Sequence, residues 1–244
     1  MTPSKRTARI IAALDVEKRI DAISLVADLR GKVSLFKVGS RLFTAEGPGM
    51  ISEISDAGGS VFLDLKFHDI PATVAGSVRA ACGLHVFLMT IHTAGGYDMM
   101  KAAADEAAAF ADRSGLPRPK LVGVTVLTSM SEEDLAEASG YGGSVEDLVL
   151  KRAELAKKSG LDGIVASVKE AGRIREALGN GFIIVTPGIR PAGSAAGDQK
   201  RIATPRDAIE AGSDYLVIGR PIYQAESPGA AADAILAEMG ESGK

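Results

Sequence analysis

The chain has 244 residues, 46% hydrophobic and 24% charged, a composition typical of one large globular domain rather than of a disordered or fibrous protein. Its formal net charge of -3 argues against the broad basic surface that binds nucleic-acid backbones. Since no apolar run approaches the ~20 residues needed to cross a bilayer, we expect neither nucleic acid nor membrane as a partner.

The cysteine content and the first residues of the chain predict the cellular location. The single cysteine, Cys82, cannot form a disulfide within the chain. The stretch Met1–Arg9 is polar and lacks the apolar segment of a secretory signal. We therefore expect a soluble cytoplasmic protein with a flexible tail over residues 1–8 and one catalytic domain over residues 9–240.

Short runs rich in Val, Ile, Leu and Phe alternate along the chain with longer segments of helical periodicity. Repeated strand–helix units of this kind predict a parallel sheet covered on both faces. The runs are Arg9–Val16, Val33–Gly39, Ser60–Phe67, His85–His92, Lys120–Thr128, Gly163–Ser167, Phe182–Ile189 and Tyr215–Gly219. Eight units in ~250 residues predict an α/β fold of the (β/α)8 TIM barrel type. An open doubly wound sheet is the alternative, although no Gly-x-Gly-x-x-Gly motif follows the first strand.

Helical patterns fill the segments between the strands. Apolar residues spaced by three or four positions after the first strand predict a helix with one apolar face. These residues are Ile20, Ile23, Val26 and Ala27. The longer connection between the fifth and sixth runs, which includes Glu132–Gly143, predicts an inserted helix and loop.

Charged residues stand at the ends of the first three strands. Asp15 ends the first strand, Lys37 the second, and Asp64 with Lys66 the third. The carboxyl ends of the strands form the active face of such a barrel, and consecutive strands are neighbours. Because strand side chains alternate between faces, Asp64 and Lys66 point the same way. We therefore expect these charges to converge, with Lys66 kept charged by its acidic neighbours and able to donate a proton.

The alternative to a functional site is a purely structural cluster of ion pairs that closes the upper layer of the barrel. Buried charge of this density costs stability unless function requires it, which favours a functional site. Asp69 lies beyond the third strand on a loop, from which it would reach another part of the site or a second subunit.

Glycine and arginine follow the last two strands. Thr186–Arg190 follows the seventh strand, and Gly219 with Arg220 follows the eighth, where this architecture commonly holds a phosphate. Glycine allows backbone N–H groups to approach phosphate oxygens, and arginine supplies a two-pronged, permanently charged donor. We predict a phosphate site at Gly219 and Arg220, with Arg190 as its partner. For one such pair alone, an ordinary turn with a surface arginine would be the better interpretation.

Taken together, these motifs resemble the orotidine 5'-phosphate decarboxylases from about Ile10 to the end of the chain. The segments that carry the resemblance are Leu14–Val16, Phe36–Gly39, Asp64–Pro71, Thr186–Pro191 and Gly197–Gln199. The combination is specific, although Asp-x-Lys-x-x-Asp alone also occurs in related sugar-phosphate barrels. Ala72 departs from the pattern, since relatives often carry Asn after the proline, and this concerns a supporting hydrogen bond rather than the chemistry.

The resemblance implies conversion of orotidine 5'-monophosphate to UMP in de novo pyrimidine biosynthesis, without cofactor or metal. It implies that Lys66 protonates C6 of the pyrimidine as CO2 leaves, with Asp64 beside the departing carboxylate. It also implies a homodimer in which Asp69 reaches the ribose in the site of the partner subunit. The remaining implied contacts are to the ribose from Asp15 and Lys37, to the pyrimidine edge from Thr128, to the leaving-group pocket from Pro187, and to the phosphate from Arg190, Gln199, Gly219 and Arg220.

Two other functions remain open on the sequence. The first is a metal-dependent sugar-phosphate decarboxylase or aldolase of a related barrel, such as 3-keto-gulonate-6-phosphate decarboxylase or hexulose-phosphate synthase. A Mg2+ site of carboxylates would suit it, whereas one cysteine and the scattered His68, His85 and His92 do not form a convincing zinc set. The second is a non-catalytic barrel that binds a phosphate ligand and needs no proton donor. His92, at the end of the fourth strand, has no task in the decarboxylation and is predicted to be a packing or supporting residue.

Overall fold

Parallel strands close into a barrel in the order of the sequence, β1 to β8. The computed structural model describes residues 9–191 and 203–240. Its strands are β1 (Arg9–Ala13), β2 (Leu35–Gly39), β3 (Ser60–Phe67), β4 (Leu88–His92), β5 (Lys120–Val124), β6 (Gly163–Val165), β7 (Ile183–Thr186) and β8 (Tyr215–Ile218). Strand β8 pairs with β1, with Val217 opposite Ile11, so the sheet has no free edge. The predicted TIM barrel is confirmed.

Helices connect successive strands on the outside of the barrel. They are α1 (Arg19–Asp28), α2 (Ser40–Glu46), α3 (Gly49–Asp56), α4 (Pro71–Cys82), α5 (Gly96–Ser114), α6 (Glu132–Ser139), α7 (Val145–Lys158), α8 (Val168–Leu178), α9 (Pro205–Glu210), α10 (Arg220–Tyr223) and α11 (Pro228–Glu238). The predicted insertion between β5 and β6 is confirmed as α6, which begins with a capping box between Ser131 and Asp134. Among the described residues, no helix combines the length and apolar character needed to cross a membrane.

Several strands are shorter than the apolar runs that predicted them. The first ends at Ala13 and the fifth at Val124, where the predicted runs continued to Val16 and Thr128. The physical reason is that the backbone leaves the parallel ladder as it turns into the following loop. Two predicted site residues, Asp15 and Thr128, therefore stand on loops just beyond strand ends.

Apolar side chains fill the interior of the barrel, and others pack between the strands and the surrounding helices. The inner cluster consists of Ile11, Ala13, Leu35, Phe62, Leu88, Val122, Val185 and Val217. Neighbouring strand residues such as Ile10 and Ala12 point outward into the larger cluster beneath the helices. Since burial of one large apolar side chain contributes roughly 1.5–3 kcal/mol, the inner cluster forms a stable floor beneath the carboxyl ends of the strands.

The apolar face predicted for α1 was partly wrong. Its fully buried residues are Ala22, Leu25 and Val26, whereas Ile20 is 70% exposed and Ala27 is also exposed. A second stripe with the same three-to-four-residue spacing passes through Ala22 and Leu25, and this one faces the barrel. The helix and two of its four predicted core contacts, Ile23 and Val26, are therefore confirmed, whereas the other two lie outside the buried face.

Candidate active site

A cavity of about 250 Å³ opens at the carboxyl ends of the strands. Among the described residues, every strand except β4 contributes at least one lining side chain. The predicted site residues that line it are Asp15, Lys37, Asp64, Lys66, Thr128, Pro187, Arg190, Gly219 and Arg220. The cavity therefore unites the charged ends of the first three strands with the glycine and arginine that follow the last two.

The four strand-end charges alternate in sign around one side of the cavity. The Nζ atom of Lys37 lies 2.8 Å from Asp15 Oδ1 and 3.8 Å from Asp64 Oδ2. On the other side of Asp64, Lys66 Nζ lies 2.9 Å from Oδ1. The predicted convergence is confirmed. Each charge has a neighbour of opposite sign, which offsets the cost of holding charged groups at the mouth of an apolar barrel.

Lys37 and Lys66 differ in exposure and in the number of their carboxylate partners. The side chain of Lys37 is 10% exposed and lies between two carboxylates. The side chain of Lys66 is 40% exposed, and its ion-pair partner among the described residues is Asp64 alone. Lys66 can therefore turn its ammonium group toward a bound ligand, whereas Lys37 holds the two carboxylates in place.

Strand β3 departs from regular geometry at Lys66. Its φ of 53° lies in the left-handed region, which residues other than glycine seldom adopt. The register of β3 against β4 shifts between Leu63 and Phe67, as in a β-bulge. The prediction that Asp64 and Lys66 share a face is confirmed by their contact, but alternation alone did not predict the bulge that accompanies it.

The residues predicted to contact a phosphate follow β7 and β8 in the cavity wall. Arg190 is 7% exposed, and its Nη1 donates a hydrogen bond to the carbonyl of Ile189 at 2.9 Å. Its backbone N–H donates to the carbonyl of Ala203 at 3.0 Å. Gly219 is the residue before α10, and Arg220 is the first residue of that helix.

One predicted site residue lies outside the cavity wall, and another lies outside the described residues. Asp69 is exposed on the loop between β3 and α4, where its Oδ1 accepts a hydrogen bond from the backbone N–H of Ile70 at 2.6 Å. It does not line the cavity described above. Gln199 lies outside the described residues, and its predicted phosphate contact stays a prediction.

A histidine pair stands beside the charged cluster. The rings of His68 and His92 are stacked, with centroids 5.1 Å apart, and Nδ1 of His92 accepts a hydrogen bond from the backbone N–H of Ala94 at 3.2 Å. Burial, the neighbouring His68, and the positive charges of Arg152 and Lys66 lower the pKa of His92 to about 4. His92 is therefore neutral at neutral pH and adds no charge to the site, and its supporting role stays a prediction.

Sequence reasoning missed three residues near the charged cluster. Tyr223 lines the cavity, and it stands three positions after Arg220, the spacing of one helical turn. Arg41 donates from Nη1 to the backbone carbonyl of Asp15 at 3.3 Å. Thr90 contacts the charged pair on β3 from β4. The spacing was a usable signal for Tyr223, whereas the other two contacts depend on the three-dimensional arrangement.

Within residues 9–191 and 203–240, no group of three or more His, Cys, Asp or Glu side chains is arranged to hold a metal ion. The carboxylates of Asp15 and Asp64 are each engaged by a lysine ammonium. Both cavity carboxylates are thus paired with a positive charge.

Comparison with known proteins places the chain among enzymes with this architecture. The family model described as "Orotidine 5'-phosphate decarboxylase / HUMPS family" matches residues 8–235. The chain belongs to this family. Membership agrees with the fold, because the charged cluster, Arg190 and Arg220 lie on the face of the barrel that commonly carries the active site.

Relatives in this family are similar over nearly their whole length. A protein of Pseudoalteromonas translucida named orotidine 5'-phosphate decarboxylase is 47% identical, over 98% of this chain and 99% of its own. One of the same name from Syntrophotalea carbinolica is 52% identical, over 95% of this chain and 94% of its own. The crystal structure of orotidine 5'-phosphate decarboxylase from Lactobacillus acidophilus superposes with a TM-score of 0.84 at 37% identity, covering 95% of this chain and 99% of that one.

Proposed function

We propose that the protein decarboxylates orotidine 5'-monophosphate to UMP in de novo pyrimidine biosynthesis. The observation that carries the proposal is the alternating cluster Asp15, Lys37, Asp64 and Lys66, which lies in one cavity with Arg190 and Arg220. The cluster offers a proton donor beside a carboxylate, and the arginines offer a phosphate site. Relatives that are 47% and 52% identical to this chain carry the name of this activity.

The reaction needs electrostatic stabilisation because it has no simple resonance sink. When the bond between C6 and the carboxylate breaks, the electron pair stays at C6 in an sp2 orbital outside the π system of the ring. An ammonium group fixed beside C6 stabilises that pair and then transfers its proton to it. Lys66 fills this role in our proposal, since its partly exposed ammonium faces the cavity. The neutral amine regains its proton from solvent after product release.

Asp64 holds the donor in place and faces the departing group. Its Oδ1 lies 2.9 Å from Lys66 Nζ and its Oδ2 3.8 Å from Lys37 Nζ, so the position of the carboxylate is set from both sides. A substrate carboxylate placed next to it would be repelled, and loss of CO2 would relieve that strain. Decarboxylation would therefore replace a repulsive contact with an attractive one between the C6 carbanion and Lys66.

The rest of the cavity binds the nucleotide. We assign the ribose to Asp15 and Lys37, the pyrimidine edge to Thr128, and the leaving-group pocket to Pro187. The phosphate is assigned to Arg190, Gln199, Gly219 and Arg220. Because the phosphate lies far from the breaking bond, its binding energy contributes to the barrier by closing the site over the substrate.

The proposal extends to assembly and location. We propose a homodimer in which Asp69 of each subunit completes the ribose site of its partner, since Asp69 is exposed and lies outside the cavity of its own subunit. The scheme requires no cofactor or metal. A cytoplasmic location fits an enzyme of nucleotide synthesis whose single cysteine is a free, buried thiol.

The test is the change in ultraviolet absorbance when orotidine 5'-monophosphate is added to the purified protein. We expect turnover in the presence of EDTA, and a loss of at least about 1000-fold in kcat for Lys66→Ala, because both charge stabilisation and proton donation are removed. The matched control is Lys101→Ala, an exposed helix lysine paired with Asp105, which should keep parental activity.

Each competing function gives a different result in the same assay. Activity abolished by EDTA and restored by Mg2+ would favour the metal-dependent relatives. Binding of the nucleotide without any absorbance change would favour a non-catalytic barrel. Near-parental turnover of Lys66→Ala would remove Lys66 from the role of proton donor.

A further inference from the structure

A buried hydroxyl beneath the cavity contacts both halves of the proposed proton-donor pair. The side chain of Thr90, on β4, is fully buried. Its Oγ1 accepts a hydrogen bond from the backbone N–H of Lys66 at 2.8 Å and donates one to Asp64 Oδ1 at 3.1 Å. The same Asp64 oxygen receives the ammonium of Lys66 at 2.9 Å. Thr90 therefore closes a ring of hydrogen bonds that runs through the backbone and the side chain of Lys66.

The bulge in β3 explains why this hydroxyl is needed. Leu63 pairs with Met89 and Phe67 pairs with Ile91, so three residues of β3 stand opposite Thr90 alone. A ladder with this mismatch cannot supply a backbone acceptor for every N–H on the bulged side. The backbone N–H of Lys66 donates its hydrogen bond to the hydroxyl of Thr90 instead of to a backbone carbonyl. This contact satisfies a buried donor that would otherwise have no partner.

Other buried threonines near the carboxyl ends of the strands have a different role. Thr93 donates from Oγ1 to the carbonyl of Val124 at 2.8 Å, and Thr125 donates to the carbonyl of Val165 at 2.8 Å. Both hydroxyls link one strand end to the backbone of the next. By contrast, the hydroxyl of Thr90 donates its hydrogen bond to the carboxylate of Asp64. Because a hydroxyl has only one proton to donate, Thr90 cannot also donate to a backbone carbonyl.

We infer that Thr90 is a positioning residue for the proton donor, an inference that rests on the proposed decarboxylation. Its hydroxyl fixes the left-handed backbone of Lys66 and the orientation of the Asp64 carboxylate at the same time. Thr90 does not line the cavity, so in this inference it acts through Lys66 and Asp64. Its effect belongs to the chemical step, where the distance from the ammonium to C6 matters, rather than to binding of the nucleotide.

The decisive variant is Thr90→Val, which keeps the shape of the side chain and removes the hydroxyl. Two hydrogen bonds to the site are lost, one of them to a carboxylate, so we expect kcat to fall by about 10- to 100-fold. KM should change by less than about 3-fold, because the groups assigned to ribose and phosphate stay in place. Thr90→Ser retains the hydroxyl and should stay within about 3-fold of the parental kcat.

Thr93→Val is the matched control, since it removes another buried threonine hydroxyl, three residues along the chain, that bonds to the backbone carbonyl of Val124 and not to the charged cluster. The kcat of Thr93→Val should equal that of the parent when both proteins are assayed below their melting temperatures. Equal kcat values for Thr90→Val and Thr93→Val would overturn the inference. So would a loss in Thr90→Ser as large as that in Thr90→Val, because it would trace the effect to the methyl group.

A structural measurement keeps the inference testable apart from activity. In a crystal structure of Thr90→Val, or of Thr90→Ala if the valine variant does not fold, Lys66 Nζ should lie farther than about 3.5 Å from Asp64 Oδ1, beyond hydrogen-bond distance. An unchanged separation would contradict the positioning role. If the parent did not turn over orotidine 5'-monophosphate, the proposed function would fail, whereas an active parent with a fully active Thr90→Val would exclude only the role of Thr90.

Discussion

At the scale of single residues, the site depends on groups that hold the charged side chains still. Gly39, at the end of β2, lies so close to Lys37 that a Cβ atom there would stand 2.8 Å from Lys37 Nζ and 3.5 Å from Asp15 Oδ1. A side chain at position 39 would therefore push the ammonium of Lys37 away from its carboxylate. The absence of a side chain is what allows Lys37 to lie between Asp15 and Asp64.

His92 makes the stability of the protein depend on pH. Burial, the neighbouring His68, and the charges of Arg152 and Lys66 lower its pKa to about 4, compared with 6.5 for a free histidine. Between these two values the unfolded chain binds the proton more readily than the folded one, so stability falls as the pH decreases through this window. Above pH 6.5 the contribution is fully present.

We expect His92→Asn to reduce this pH dependence, because Asn does not titrate and its side-chain oxygen can accept the hydrogen bond from Ala94. Between about pH 7.5 and about pH 5, the parent should lose about 1 kcal/mol more unfolding free energy than the variant, a value discounted for the partial exposure of the ring. Urea unfolding at both pH values measures the difference. Identical losses in parent and variant would show that His92 is not the titrating group.

At the scale of elements, regular patterns were predictable from the sequence and local irregularities were not. The alternation of apolar runs and helical segments predicted all eight strands and the inserted α6, because both periodicities follow from burial on known faces. The charges at the ends of β1 to β3 also identified one side of the cavity. This succeeded because parallel strands bring their carboxyl ends to the same edge.

The bulge at Lys66 shows where such prediction stops. No residue type in Asp64–Phe67 indicates a left-handed backbone, and the register shift depends on how β3 packs against β4. The contacts of Thr90 follow from that shift and so were missed as well. The buried face of α1 was only partly predicted for a related reason. Two stripes of apolar residues on this helix have the same spacing, one through Ile20 and one through Ala22, and packing against the barrel decides which of them is buried.

The proposed phosphate site after β8 yields a prediction for Arg220→Ala. Removing a two-pronged cationic contact should lower kcat/KM for orotidine 5'-monophosphate by about 100-fold. Activity toward orotidine, which lacks the phosphate, should be unchanged. Steady-state kinetics with both substrates measures this, with Arg113→Ala as control, since Arg113 lies on α5 and pairs with Glu106. An equal loss of kcat/KM on both substrates would show that Arg220 does not act by binding the phosphate.

At the scale of the whole molecule, closure of the barrel joins two parts of the site that are far apart in sequence. Pairing of β8 with β1 places Ile218 opposite Ala12. A Cβ atom on Gly219 would consequently lie 3.7 Å from Asp15 Oδ2. The proposed ribose and phosphate sites thus meet at the seam where the sheet closes, while Lys66 lies farther round the wall on β3.

The proposed dimer predicts that two inactive variants restore activity together. Lys66→Ala and Asp69→Ala should each be nearly inactive alone. In a two-fold symmetric dimer, a mixed pair contains one site with both residues intact, so co-expression in equal amounts should give about a quarter of the parental activity per subunit. The control pair is Lys66→Ala with Lys37→Ala, because both of these residues belong to the same subunit's cavity, and no mixed site would be intact. Activity no higher in the Asp69 mixture than in this control would mean that Asp69 does not act across the interface.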